Sequence, residues 1–353
     1  MRAAALAALW LPHLLAASFS IEQVLEAPFA SQMRATPRGD RIAWVVSQRG
    51  VRNVWVASAP AFHPAPVTVF KDDGHPIDDL AWTPDGAAVV FVRHSPNQEK
   101  WLWLAPVTGG TPHRLDEGSS PAVHPKRRLV AYVKENQVWQ ASLQGRPKPS
   151  PLFRTRGNCG SLRWAPDGSA LAFISSRATH DLIGIYDPTT GSVIYPDPSV
   201  DRDSYPAWSP GGAQIAYVRT PVSRTLAVFG PKRSAEPWSI RLYDRRAGTA
   251  RELWRAGAGP GSVFRPLGEE DSVFWTADGW IVFPWEADGW NHLYSMPAAG
   301  DGGLRRLTHG EFEVQEAAMS LDRRSLLFCS NQNDPERRHL GRAPANGGQT
   351  AEV

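Results

Sequence analysis

Short apolar runs recur along this chain, and each follows a polar bend of similar spelling. The clearest copies are Ala81-Trp82-Thr83-Pro84-Asp85-Gly86 before Val89-Val90-Phe91-Val92, and Arg163-Trp164-Ala165-Pro166-Asp167-Gly168 before Leu171-Ala172-Phe173-Ile174. A third is Ala207-Trp208-Ser209-Pro210-Gly211-Gly212 before Ile215-Ala216-Tyr217-Val218. The bend predicts a tight hairpin: Pro presets φ, Asp accepts from the backbone N–H groups that follow, and Gly takes the positive-φ position. Runs of four apolar residues without helical spacing, bounded by such bends, predict strands.

Degenerate copies keep the strand and lose part of the bend. They are Thr36-Pro37-Arg38-Gly39-Asp40 before Ile42, Val123-His124-Pro125-Lys126 before Leu129, Trp275-Thr276-Ala277-Asp278-Gly279 before Ile281, and Met319-Ser320-Leu321-Asp322-Arg323 before Leu326. The Pro-equivalent positions 37, 84, 125, 166, 210, 277 and 321 are separated by 47, 41, 41, 44, 67 and 44 residues. A period of about 40–50 residues is that of one four-stranded propeller blade, whereas a β-sandwich requires no fixed period. A second series supplies the other hairpin of each unit, with Val54-Trp55-Val56, Leu102-Trp103-Leu104, Ile183-Gly184-Ile185 and Leu340-Gly341-Arg342 among its strands. The fold expected is therefore all-β, a β-propeller of about seven four-stranded blades, seven or eight. Because only five residues follow Gly348, the last blade is expected to be unfinished, with exposed strand edges that favour self-association.

The expected organisation is a signal peptide over residues 1–18, a lead-in over 19–35 and the propeller over 36–353. Arg2, the apolar stretch Ala3 to Ala17, and Ala16 with Ser18 fit an export signal and a small-x-small cleavage site. This places the protein in the periplasm or outside the cell, and no later apolar stretch reaches membrane-spanning length. Ser20 and Gln23 have capping-box spacing for one short helix to Leu25. The surplus in the 67-residue interval falls near Pro221 to Pro237, where Leu226-Ala227-Val228-Phe229 suggests an extra hairpin or loop.

Composition narrows the function further. Charged residues are 21% of the chain and the net charge is +3, which points away from nucleic acid. Cys159 and Cys329 are the two cysteines, lie in different repeats, and predict neither a disulfide nor a zinc site. The ten histidines show no metal-binding spacing, so no metal or other cofactor is expected. His292 lies within a strand and reads as a hydrogen-bonded, partly buried imidazole.

The blades resemble PD40 or TolB-type repeats, which also build the N-terminal propeller of the prolyl oligopeptidase (S9) family of serine peptidases. Ser20 to Leu25 with Ala27-Pro28-Phe29 resembles the entry segment of secreted members, and Gly50 to Val56 resembles their first blade. Val282-Phe283-Pro284-Trp285-Glu286, Asp288 to Tyr294, and Ser330-Asn331-Gln332 with Arg338-His339-Leu340 resemble the dipeptidyl-peptidase IV type. The resemblance implies a propeller that gates peptide access to an α/β-hydrolase domain carrying a Ser-His-Asp triad. No Gly-x-Ser-x-Gly elbow occurs in this chain, so it is expected to hold no catalytic residue itself. The nearest strings, Glu117-Gly118-Ser119-Ser120 and Gly259-Pro260-Gly261-Ser262, lack the glycine spacing. Dipeptidyl-peptidase members bind the substrate's amino terminus through a Glu-Glu pair; the matching stretch here is Val200-Asp201-Arg202-Asp203. Asp201 and Asp203 are thus candidate substrate-binding residues, as is the literal pair Glu269 and Glu270 one blade later. The alternative is a stand-alone TolB-like propeller with a protein partner.

Overall fold

The computed structural model describes residues 20–72, 75–222, 234–268 and 271–353. The expected signal segment, the proposed hairpin around Leu226, and Glu269 and Glu270 lie outside the described residues. Among the described residues, twenty-eight strands form seven consecutive groups of four, each antiparallel and in simple chain order. The blades span residues 29–66, 77–117, 119–153, 158–194, 202–255, 274–306 and 314–352, and are numbered I to VII. A single parallel pairing, Asp181 with Arg202, links blades IV and V into one eight-stranded sheet. The first strands of blades I to VI neighbour one another in turn, so the first strand of each blade is innermost.

The structure resolves the expected range of seven or eight blades as seven. It also corrects the expectation of an unfinished last blade: Ala351–Glu352 pairs with Gly341 and Arg342 as a short outer strand. The inner strand of blade I, Phe29–Ala35, comes from the segment read as a lead-in and pairs with Arg41–Gln48. Its weak apolar pattern hid it, because most of its side chains are exposed. Before it, helix Ile21–Glu26 carries the expected capping box, with the Gln23 N–H donating to Ser20 Oγ and the Ser20 N–H to Gln23 Oε1. The surplus between blades V and VI divides between residues 221–238, inside blade V, and the crossing at residues 256–273.

Side chains of facing blades interlock into apolar cores. Clusters join I to II, II to III, III to IV, IV to V, V to VI and VI to VII. In the middle blades the second strand is covered on both faces, which is why its sequence is continuously apolar: Val89 and Phe91 pack toward blade I, Val90 and Val92 toward blade III. Among the described residues no such cluster joins VII to I. Blade I buries Ala43 and Val45 while Ile42, Trp44 and Val46 stay half-exposed, and blade VII buries Leu326 and Phe328 while Leu327 is exposed. The bends still meet across this seam, since a Cβ on Gly39 would sit 3.2 Å from Leu321.

The Trp of the bend motif fastens one blade to the next. The indole N–H groups of Trp82, Trp164 and Trp208 donate to the carbonyls of Arg34, Ala122 and Arg163, each on the inner strand of the preceding blade, at 3.0, 3.1 and 2.9 Å. In blade III, which lacks the Asp, His124 Nδ1 accepts the N–H groups of Lys126 and Arg127 and closes the bend.

Candidate functional site

Two concave regions lie on this frame. The first is on the ring axis. The inner strands of blades I to V each carry a β-bulge, marked by a register shift and by one non-glycine residue at positive φ: Gln32, Asp79, Ser120, Ser161 and Tyr205, with φ from 49 to 57°. An extra residue sharpens the twist of a strand and re-aims its side chain. Asp79, Ser120, Ser161 and Tyr205, with Arg34 and Arg163, line an axial cavity of about 340 Å³. Asp79 accepts the Ser120 N–H at 3.0 Å, and Arg163 pairs with Asp271 at 2.7 Å. Non-glycine residues in the sparsely populated left-handed region recur at equivalent inner-strand positions, so the bulge is a repeated feature of the ring.

The second region is on the face opposite the Pro-type bends, where the crossings between blades and the turns from second to third strands gather. Here the crossing from III to IV (Arg156, Gly157, Asn158), the turn of blade IV (Ser176, Arg177, Asp181) and the start of blade V (Arg202) enclose a depression of about 660 Å³. Gly157 has φ 81° and lies so close to blade IV that a Cβ would meet the Ser176 carbonyl at 2.4 Å.

Of the sequence-derived candidates, Asp201 and Asp203 flank Arg202 at the edge of this second region. Asp203 is buried and forms a two-pronged ion pair with Arg219, Nε to Oδ1 at 2.7 Å and Nη2 to Oδ2 at 3.0 Å, while Oδ2 also accepts the Ile183 N–H. Burial pushes its carboxyl above the usual range, against the pull of Arg219. Asp197 joins the same network, receiving Tyr217 Oη at 2.6 Å, Arg219 Nη1 at 3.1 Å and Arg241 Nε. Burial would raise the Asp197 carboxyl, but Tyr217, Arg241 and Arg219 together hold it below the usual range. Asp203 is thus already committed within the fold. Asp201 is half-buried, accepts the Val222 N–H at 3.4 Å, and lies beside Arg202, which pairs with Asp181 at 2.8 Å. The structure brings Asp201, Arg202 and Asp203 together at one strand start, and Arg202 lines the depression.

The other strings are structural. Ser262 is buried and its hydroxyl accepts the Ala235 N–H, while Gly261 offers its carbonyl to the indoles of Trp238 and Trp285. Ser120 is a bulge residue of the axial cavity. His292 is fully buried, its Nδ1 facing the Thr308 hydroxyl and its Nε2 the Gly310 carbonyl. Both cysteines are free thiols. Among the described residues, no group of three or more His, Cys, Asp or Glu is placed to hold a metal ion. Nor is any helix among them long and apolar enough to cross a membrane. Sequence reasoning missed Arg156 and Arg177; the Arg154-Thr155-Arg156-Gly157-Asn158 tract, with two arginines beside a glycine in a blade crossing, was the available signal.

Residues 232–353 match the model of the dipeptidyl peptidase IV (DPP IV) N-terminal region. The matched stretch is similar to an S9-type N-terminal propeller region and covers about a third of the chain. Blades V to VII carry it. No curated protein sequence matches the chain. Among solved structures, a prolyl endopeptidase studied for inter-domain dynamics in catalysis and specificity superposes with a TM-score of 0.69 at 12% identity, covering 94% of this chain and 50% of that one. Porphyromonas gingivalis dipeptidyl peptidase 4 gives 0.61 at 12%, covering 91% and 52%. The β-propeller domain of the Trilobed protease from Pyrococcus furiosus, described as having an open velcro topology, gives 0.56 at 14%, covering 92% and 97%. Identities this low speak for the fold alone. The chain spans about half the length of the two peptidases.

Proposed function

We propose that this propeller is the substrate-gating part of an exported serine peptidase of the prolyl oligopeptidase family. The match of residues 232–353 to the DPP IV N-terminal region carries the reading. In it, the propeller forms one wall of the substrate cavity and admits short peptides to a hydrolase domain, whose Ser-His-Asp triad performs acyl transfer. The axial cavity of about 340 Å³ supports this, being too small for a folded domain. The charged depression at Arg177, Asp181 and Arg202 supports a peptide-facing role for the face that bears it. Export rests on residues 1–18. The dipeptide-releasing specificity of the family is not carried over, because Asp203 is engaged by Arg219 and Arg202 stands between the two aspartates.

Reading the coding DNA beyond codon 353 tests the proposal directly. An in-frame continuation with a Gly-x-Ser-x-Gly elbow is the expected result, and the joined protein should cleave peptides in a manner blocked by serine-directed reagents. A stop codon followed by an unrelated gene would overturn it in favour of a stand-alone propeller that binds a protein partner.

A further inference from the structure

The depression on the crossing face holds more positive charge than its own acidic group can satisfy. Arg156, Arg177 and Arg202 line it against a single carboxylate, Asp181. Asp181 engages Arg202 through Oδ2 at 2.8 Å, while its Oδ1 is buried without a hydrogen-bond partner. The Arg156 side chain is exposed and has no partner among the described residues. The Arg177 guanidinium lies 5.1 Å over the Tyr195 ring, and its Nε is buried without a hydrogen-bond partner. With three guanidinium groups against one carboxylate, the depression keeps a net positive charge that attracts an anion. Guanidinium groups have the planar donor pair that matches a carboxylate. Gly157 holds the floor open, since any side chain there would collide with Ser176 and Arg177.

We infer that this depression binds a carboxylate group of a peptide, through Arg177 and Arg156 with Arg202 at the rim. The inference rests on the gating reading in one respect, that peptides are the ligand, and it adds a preference: acidic ends or acidic side chains rather than a free amino terminus. The same chemistry can come from a C-terminal carboxylate or from Asp or Glu.

Calorimetric titration of the full chain at low ionic strength tests it with three probes: acetyl-Ala-Ala-Ala as the free acid, the same peptide as its C-terminal amide, and acetyl-Ala-Asp-Ala amide. At least one carboxylate-bearing peptide should bind about ten-fold or more tightly than the neutral amide, and which one does identifies the source. Arg177→Gln should reduce that affinity about ten-fold, with a loss on adding salt. Arg156→Gln, at an exposed position without partners, should weaken binding while the far-ultraviolet spectrum stays unchanged, so a folding defect in the first variant does not decide the matter. Equal affinity for acid and amide, no measurable binding of any probe, or unchanged binding by Arg156→Gln overturns the site. Carboxylate binding by a chain whose gene has no hydrolase continuation keeps the site and removes the peptidase reading; a hydrolase-bearing gene product that ignores the carboxylate does the reverse.

Discussion

His292 shows how one buried side chain sets a pH limit on this fold. Burial, aided by Arg306 and opposed by the Gly310 hydrogen bond and Asp288, lowers its pKa to about 4. Its environment suits the neutral ring, with Nε2–H donating to Gly310 and Nδ1 accepting from Thr308. A folded-state pKa below the unfolded value means the unfolded chain binds the proton more readily, so stability is complete above about pH 6.5 and falls as pH drops toward about 4. The full loss is on the order of 3 kcal/mol. His124 is shifted down as well, by burial first and by Arg127 and Lys126 next, and adds to the same slope. Urea midpoints between pH 8 and 4.5 should decline, and the decline should shrink in His292→Gln; a flat profile in the parent would refute the assignment. Asp203 gives a second test. Asp203→Asn removes the two-pronged partner of buried Arg219 and leaves it Asp197 alone, so it should cost about 3 kcal/mol, whereas Asp201→Asn should stay within about 0.5 kcal/mol. The reverse order in denaturant melts would mean that Asp203 is held for a ligand rather than for the fold.

Within a blade, close backbone approach is written in particular residue pairs. Phe173 faces Gly184 across the second and third strands of blade IV, and Phe328 faces Gly341 in blade VII; a Cβ on either glycine would lie 2.3 Å from the ring. Gly184→Ala should therefore lower stability by about 1–3 kcal/mol through overpacking, while Gly191→Ala, at φ 71° in an uncrowded turn, carries only its backbone cost. Trp208→Phe, which removes the donor to Arg163 together with part of the buried indole, should cost at least about 1 kcal/mol; an unchanged thermal midpoint would show that the bond contributes nothing. Bends and second strands were legible in the sequence because Pro-Asp-Gly chemistry and doubly buried apolar runs are local signals. The inner strands were less legible. Their bulges interrupt the period-two pattern, and that of blade VI shrinks to Phe274–Trp275. The outer strand Ala351–Glu352 was too short to announce itself, since two backbone pairings need no side-chain pattern at all. Candidate site residues were read from the family pattern at Asp201 and Asp203, but the arginines of the depression come from three segments that strand pairing within blade IV and between blades IV and V brings together.

At the level of the whole ring, six of the seven joints have a hydrophobic core among the described residues and the joint between VII and I does not. Truncating side chains at that joint should be nearly silent: Leu327→Ala and Leu340→Ala, at 41% and 59% exposure, should each cost less than about 1 kcal/mol. Phe91→Ala and Phe173→Ala, inside closed joints, should cost about 3–5 kcal/mol. Equal penalties in chemical denaturation would show that the seam is packed like the rest. Among the described residues each sheet is also encoded by one stretch of the chain, with no strand lent from its far end. A duplicated repeat inserted at the seam would therefore break no existing pairing. It would alter the circumference and leave every sheet intact, so the number of blades in such a molecule is governed by how wedges fit around a circle rather than by any clasp between the chain's two ends.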